Sequence, residues 1–155
     1  WRKAVEWNMI TPIALIKSTV YGMMDRKFGR ILNITSQSVK APIASLELSN
    51  GARAGLTGAI AVMARRAVKH NVTINNILPG PFDTDRLRSS TKRMAELQGV
   101  AVDKVEASRK AAIPAGRFGN TVEFGAAAAF LCSQHAGFIT GQNLLLDGGG
   151  FPGSM

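Results

Sequence analysis

The segment RILNITS, residues 30–36, is a short, β-branched run with apolar side chains on both faces. It is too short for a helix, and a run of this kind reads as a strand buried inside a parallel sheet. Downstream, NVTINNILPG (71–80) has the same character and ends on Pro79-Gly80, a turn signal, and GQNLLLDGGG (141–150) is a third strand closing in glycines. Helical patterns fill the intervals. Val5, Met9, Ile13, Ile16, Val20 and Met24 recur at helical spacing through residues 1–24, and Lys27 to Gly29 breaks the pattern. A second helix is expected from Ser49 to about Lys69, with Gly51, Gly55 and Gly58 along one face, a strip that would admit another backbone at close range. Residues 85–112 hold two amphipathic stretches rich in Lys and Arg, divided near Gly99 and closed by Ile113-Pro114. Asn120 followed by Glu123 has the form of a capping box opening a helix that runs to about Ser133.

Strands alternating with helices imply right-handed crossovers and an α/β fold, with a parallel sheet covered on both sides. Three strands are narrow for a doubly wound sheet. With Trp1 where an initiator methionine would stand, the expectation is that residues 1–155 are part of a single larger domain. Ligands in such folds bind beyond the carboxyl ends of the strands, here around Ser36, around Pro79 to Thr84 and around Gly148.

At 155 residues, 46% hydrophobic and 19% charged, the chain can bury a core. Its one cysteine, Cys132, excludes a disulfide framework or a thiolate metal site and suits a reducing, cytoplasmic setting; no metal is expected. No apolar stretch approaches the roughly 18 residues of a membrane span, and Trp1 opens no signal-peptide pattern. A net charge of +9 raises the question of nucleic acid, but the basic residues are scattered and only seven Phe, two Trp and one Tyr are present for stacking. A solvated basic surface is the better reading, with neither nucleic acid nor membrane as partner.

Ser36 leaves its strand at the ligand edge, and the chain returns through residues 37–48 to begin the next helix beside it. Ser49 and Arg53, four apart, share a face of that helix, and Asn8 on the first helix reaches the same region. The expected constellation is two hydroxyls, a guanidinium and an amide.

Trp1 with Asn8, GRILNITS ending at Ser36, the helix from Ser49, NNILPGPFDT, IPAGRFG (113–119) and FITGQNLLLDGGG follow one another in the order and spacing of a known family. Together they resemble the C-terminal portion of a short-chain dehydrogenase/reductase, and among these the bacterial 3-oxoacyl-(acyl carrier protein) reductases. The resemblance implies a Rossmann-type doubly wound parallel sheet, C-terminal part only. It also implies an NAD(P)(H)-dependent oxidoreductase acting on a small-molecule carbonyl or alcohol, assembled as a homodimer or homotetramer. By the same resemblance Asn8 supports a water relay and Ser36 bonds the substrate oxygen. Thr84 would bond the nicotinamide amide, with backbone near Pro79, Gly80 and Phe82 alongside. The plainer reading of Thr84 is a helix cap. The family's glycine-rich pyrophosphate turn has no counterpart in this sequence, so the choice between NAD and NADP stays open and tight dinucleotide binding is not expected of the chain alone.

The family's catalytic tyrosine falls on Ser49 and its lysine on Arg53. That tyrosine donates a proton, helped by the lysine. A serine alkoxide is far too unstable to form near neutrality without a base, and arginine does not release its proton. Arg53 could still hold ribose hydroxyls or stabilise an oxyanion. Tyr21 lies about 20 Å along the first helix from Asn8, and His70 about 30 Å along the next from Ser49, both out of reach; His135 sits at the opposite edge of the sheet. Glu47, Lys40 and Asp83, read as loop charges, stay open as substitute acids. Two readings follow: an oxidoreductase with an altered Ser/Arg site in which water supplies the proton, or a catalytically silent member acting as a binding or partner subunit. Non-redox chemistry on a carbonyl is a third. The basic helices between 85 and 112 suit an anionic substrate such as a thioester of coenzyme A or a carrier protein, and solvation explains them equally well.

Overall fold

Strand β2 (Val72–Pro79) is buried from Val72 through Leu78, although its sequence places Asn75 and Asn76 in the middle. Both amides are used. Asn75 Nδ2 donates to the Ile139 carbonyl (2.8 Å) and its Oδ1 accepts from the Gln142 amide (3.0 Å), while Asn76 Nδ2 donates to Asn143 Oδ1 (2.7 Å). Asn75, paired at both ends, avoids the desolvation cost of orphaned polar groups, whereas Asn76 Oδ1 is buried without a partner among the described residues. Both side chains also fasten residues 139–143 beside β2. In the computed structural model, which describes residues 1–153, β2 is central and parallel to both β1 (Gly29–Ile34) and β3 (Asn143–Leu146).

Helices cover both faces. α2 (Thr11–Asp25) and α3 (Glu47–Ala67) bring Ile16, Val20, Leu56 and Ile60 onto Val72 and Ile74. On the other side Ile77 meets Leu131 of α6 (Thr121–Cys132), Ala136 and Phe124. The split follows from the period of two along a strand. α4 (Asp85–Gln98) and α5 (Val102–Ala111) lie between β2 and the segment leading to α6, separated at Gly99 as expected.

Three expectations are corrected. β1 is not an interior strand: among the described residues it pairs with β2 alone, and Ile34 at its end is 60% exposed, although Ile31 and Leu32 pack against the two helical layers. The first helix is not uniform. It begins as α1 (Arg2–Val5), passes through a π-helical turn (Glu6–Ile10) and resumes as α2. Pro12 explains the change, because it has no N–H to donate to the Asn8 carbonyl one turn earlier. Finally, within this chain Gly51 and Gly55 of α3 face side chains rather than backbone. A Cβ on Gly55 would lie 2.8 Å from Met9 Sδ and one on Gly51 3.4 Å from the Trp1 ring, whereas Gly58 faces open space.

The capping box is present. Asn120 Oδ1 accepts from the Val122 amide and Glu123 accepts from the Asn120 amide, while Arg117 grips both Glu123 oxygens (2.7 and 2.9 Å). The guanidinium first, and the Asn120 amide second, hold the Glu123 carboxyl at about 2 instead of its ordinary 4.5. A carboxylate whose pKa is depressed on folding contributes stability above its unfolded value, and that contribution fades as pH falls through the folded one. The window here is therefore between 4.5 and about 2. A carboxyl NMR titration should place the Glu123 midpoint near 2 and show Arg117→Gln moving it upward; an ordinary midpoint in the wild type would refute the pairing.

Candidate active site

The carboxyl ends of the three strands open on one edge. β1 stays paired one step beyond Ile34, through the Thr35 amide to the Ile77 carbonyl (2.9 Å), and then turns. Ser36 makes that turn. Its Oγ accepts from the Ser38 amide (3.1 Å) and starts the short 3₁₀ turn Gln37–Val39, which leaves the hydroxyl proton free to donate elsewhere.

Ser49 and Arg53 lie in the first two turns of α3, and Arg53 Nε donates to Ser49 Oγ (3.1 Å). Arg53 Nη1 also reaches the Ile34 carbonyl (3.3 Å), so the head of α3 is tied to the end of β1 two residues before Ser36. No carboxylate pairs with Arg53 among the described residues. Burial, and then the charge of Arg86, push its pKa below the usual guanidinium value. A guanidinium has five donors, and these two bonds leave three uncommitted. Asn8 sits inside the π-helical turn, with its Nδ2 on the Ala4 carbonyl (3.1 Å), and lines the same cleft of about 510 Å³ as Arg53 and Asn33. The structure thus brings Arg53 and Asn8 to one cleft wall, with Ser49 attached through its bond to Arg53. Ser36 joins them through the strand end, without a hydrogen bond to Ser49 or Arg53.

Beyond β2, Gly80 is pressed against β3. Its amide donates to the Leu146 carbonyl (2.8 Å), and an added Cβ would stand 2.7 Å from Asp147 Cα. The Gly80 amide is therefore committed to the sheet, while the turn at Pro79 keeps the loop close to β3. Phe82 bridges to Gly119 and meets the Phe124 ring edge-on at 5.4 Å. Thr84 Oγ1 accepts from the Leu87 amide (3.3 Å), the capping geometry, and its proton remains available. Asp147 folds the glycine turn after β3 by accepting from the Gly149 and Phe151 amides. Two buried oxygens at this edge, Ser38 Oγ and Asn50 Oδ1, have no partner among the described residues.

The substitute acids are all engaged elsewhere. Glu47 begins α3, not a loop, and accepts from the Ser45 amide (3.2 Å). Asp83 is ion-paired with Arg88, and the Lys40 ammonium lies over the Phe151 ring. Tyr21 and His70 share a cavity among Lys17, Met24, Met63 and Arg66, lined by neither Asn8 nor Arg53.

A second cleft, of about 420 Å³, was not located by sequence reasoning. Gln37, Ile43, Pro81, Ile113, Phe118 and Arg109 are among its walls. Gln37 follows Ser36 directly, which was the available signal; Arg109 was lost in a run of basic residues.

A family profile described as enoyl-(acyl carrier protein) reductase matches residues 1–150. The chain is 34% identical over 149 residues to the 3-oxoacyl-(acyl carrier protein) reductase of Vibrio cholerae, covering 96% of this chain and 57% of that protein. The chain belongs to the short-chain dehydrogenase/reductase family. It is also 34% identical over 137 residues to an NADPH-dependent reductase of Bacillus subtilis, covering 88% of this chain and 53% of that protein. Among solved structures it superposes on YwfH, an NADPH-dependent reductase involved in bacilysin biosynthesis, with a TM-score of 0.86 at 32% identity, over 94% of this chain and 56% of that one. It shares its fold with the actinorhodin polyketide ketoreductase (TM-score 0.88, 24% identity, 97% of this chain and 58% of that one). The chain spans little more than half the length of these short-chain dehydrogenase/reductase relatives. Among the described residues no helix is long and apolar enough to cross a membrane.

The contact between Gly80 and Asp147 gives a direct test of how the edge is held. Gly80→Ala must force the two loops apart, and a cost of about 1–3 kcal/mol is expected from denaturant unfolding. An unchanged unfolding midpoint would contradict the packing.

Proposed function

We propose that the protein is an NAD(P)(H)-dependent oxidoreductase acting on a carbonyl/alcohol pair, with a Ser/Arg centre in place of the family's tyrosine and lysine. Residues 1–155 are read as the C-terminal portion of its single Rossmann domain, the rest of the domain supplying the pyrophosphate turn, and the assembled enzyme as a cytoplasmic homodimer or homotetramer. One observation carries the reading: Arg53 is held by Ser49 and by the Ile34 carbonyl at the strand end that presents Ser36.

The residues fit a nicotinamide dinucleotide. Arg53 keeps three donors for ribose hydroxyls, Thr84 keeps its hydroxyl proton, and unpartnered Ser38 Oγ and Asn50 Oδ1 lie at the same edge. Pro79, Gly80 and Phe82 would form the wall beside the nicotinamide ring. When bound, the cofactor supplies or accepts hydride. That the relatives include NADPH-dependent reductases supports its use.

Ser36 and Ser49 donate hydrogen bonds to the substrate oxygen, and Arg53 stabilises the negative charge that gathers there, an effect whose removal typically costs about 10²–10³ in rate at such sites. Neither hydroxyl has a base to ionise it, and Arg53 stays charged, so the proton comes from water, with Asn8 at the cleft wall to order it. A silent binding subunit is the second reading, favoured by the absence of any tyrosine or lysine at the cleft that holds Asn8 and Arg53.

Full-length protein incubated with NADH or NADPH and a panel of ketones and 3-oxoacyl thioesters separates the two readings. Slow reduction supports the enzyme; cofactor binding without reduction of any ketone, even at high enzyme concentration, supports the silent subunit. The double change Ser49→Tyr with Arg53→Lys restores a proton donor and should raise kcat by about 10²-fold or more. It should also introduce an ionisation into a pH profile that is flat near neutrality in the wild type, since neither serine nor arginine titrates there. No gain in the double variant would show that the remainder of the site is not catalytic.

A further inference from the structure

The second cleft, like the first, sets an arginine among apolar side chains. Pro42, Ile43, Pro81, Ile113, Phe118 and Phe151 give it apolar walls, and Gln37 beside Ser36 places it next to the proposed reaction centre. Two of its lining residues are charged, Asp147 and Arg109. Asp147 has both oxygens occupied by backbone amides of the glycine turn and makes no ion pair with Arg109 among the described residues.

Arg109 is held in place but not compensated. Its Nη1 donates to Ser90 Oγ (2.9 Å) and to Thr91 Oγ1 (2.6 Å), and both hydroxyls spend their own protons on the Leu87 carbonyl (2.9 Å each). They are thus fixed as acceptors, and one nitrogen of the guanidinium is bolted to α4. Nε and Nη2 have no acceptor, and no carboxylate lies within ion-pairing distance, among the described residues. The Phe118 ring, 6.0 Å from the guanidinium carbon, gives it an apolar flank. Neighbouring Lys110, by contrast, has a carboxylate partner, Glu106.

We infer that Arg109 is a specificity-determining residue that binds a carboxylate on the substrate, so that the preferred substrates are oxo acids or hydroxy acids with an apolar chain. The inference rests on the oxidoreductase reading for the reaction and on the cleft alone for the anion. A preoriented guanidinium with one free edge, Nε–H beside Nη2–H, matches a planar carboxylate by paired, charge-assisted hydrogen bonds.

The test uses the full-length protein with NADH and NADPH. Reduction of a homologous series of oxo acids with increasing carbonyl-to-carboxylate spacing is compared with that of their methyl esters, for wild type, Arg109→Gln and Arg109→Lys. Calorimetric binding of the same acids is measured alongside. One member of the acid series should exceed its ester in kcat/KM by about 10- to 100-fold. Arg109→Gln should abolish that preference by raising KM for the acid well beyond any change on the ester, and Arg109→Lys should recover part of it. Equal use of acid and ester by the wild type, or an equal loss on both in the variants, overturns the inference. Should no carbonyl compound be reduced, binding decides between the two claims. Acids bound by wild type and lost in Arg109→Gln sustain the anion site while the oxidoreductase reading falls, and acids that bind to neither protein overturn the site itself.

Discussion

Parallel pairing of β2 on both of its edges places every loop that meets at the carboxyl end of the sheet. Val72, Ile74 and Ile77 divide between the two helical layers, so the strand is anchored by apolar burial above and below as well as by ladders to either side. Burying an aliphatic side chain contributes about 1.5–3 kcal/mol, and a strand with several such residues has little freedom to shift register. With β2 immobile, Ser36, the Pro79–Thr84 loop and the Asp147 turn are carried to a common edge.

On that edge the guanidinium of Arg53 joins two elements that the chain brings together only through the long loop after Ser36. A lysine at the same place would offer a point charge with three donors on a flexible stem. The planar fork of arginine can instead hold Ser49, a backbone carbonyl and a ligand at once. What it gives up is proton traffic, because its charge persists at every pH the protein meets. In the proposed centre the Ser49–Arg53 pair therefore exchanges acid–base chemistry for fixed polarisation. Arg109, in the neighbouring cleft, is oriented by the same device, a hydroxyl-bearing helix that accepts from one part of the fork and leaves the rest outward.

Much of this arrangement was legible in the sequence, and the exceptions have particular causes. β-Branched runs marked the first two strands and the leucine run after Gly141 the third, and the glycine and proline signals at Gly99, Pro79-Gly80 and Gly148 marked where they and the helices stop. Asn120 and Glu123 announced a cap that is present in both halves. Two asparagines in a buried strand would argue against that strand on propensity alone; their partners are some 64–67 residues downstream and cannot be read locally. The π-helical turn at Asn8 follows from a missing amide at Pro12, a backbone effect to which apolar periodicity is blind. The exposure of β1 depends on which strand lies beside it. Arg109 looked like one more solvated charge because its hydroxyl partners lie on a different helix, α4.

A crystal structure of the full-length protein with its nicotinamide cofactor bound tests the Ser/Arg centre most directly. The account predicts that Arg53 keeps both Ser49 and the Ile34 carbonyl and turns its remaining N–H groups to the cofactor, with Ser36 and Ser49 facing the same substrate space. Arg53 turned into bulk water, with the two serines opening on different cavities, would contradict it.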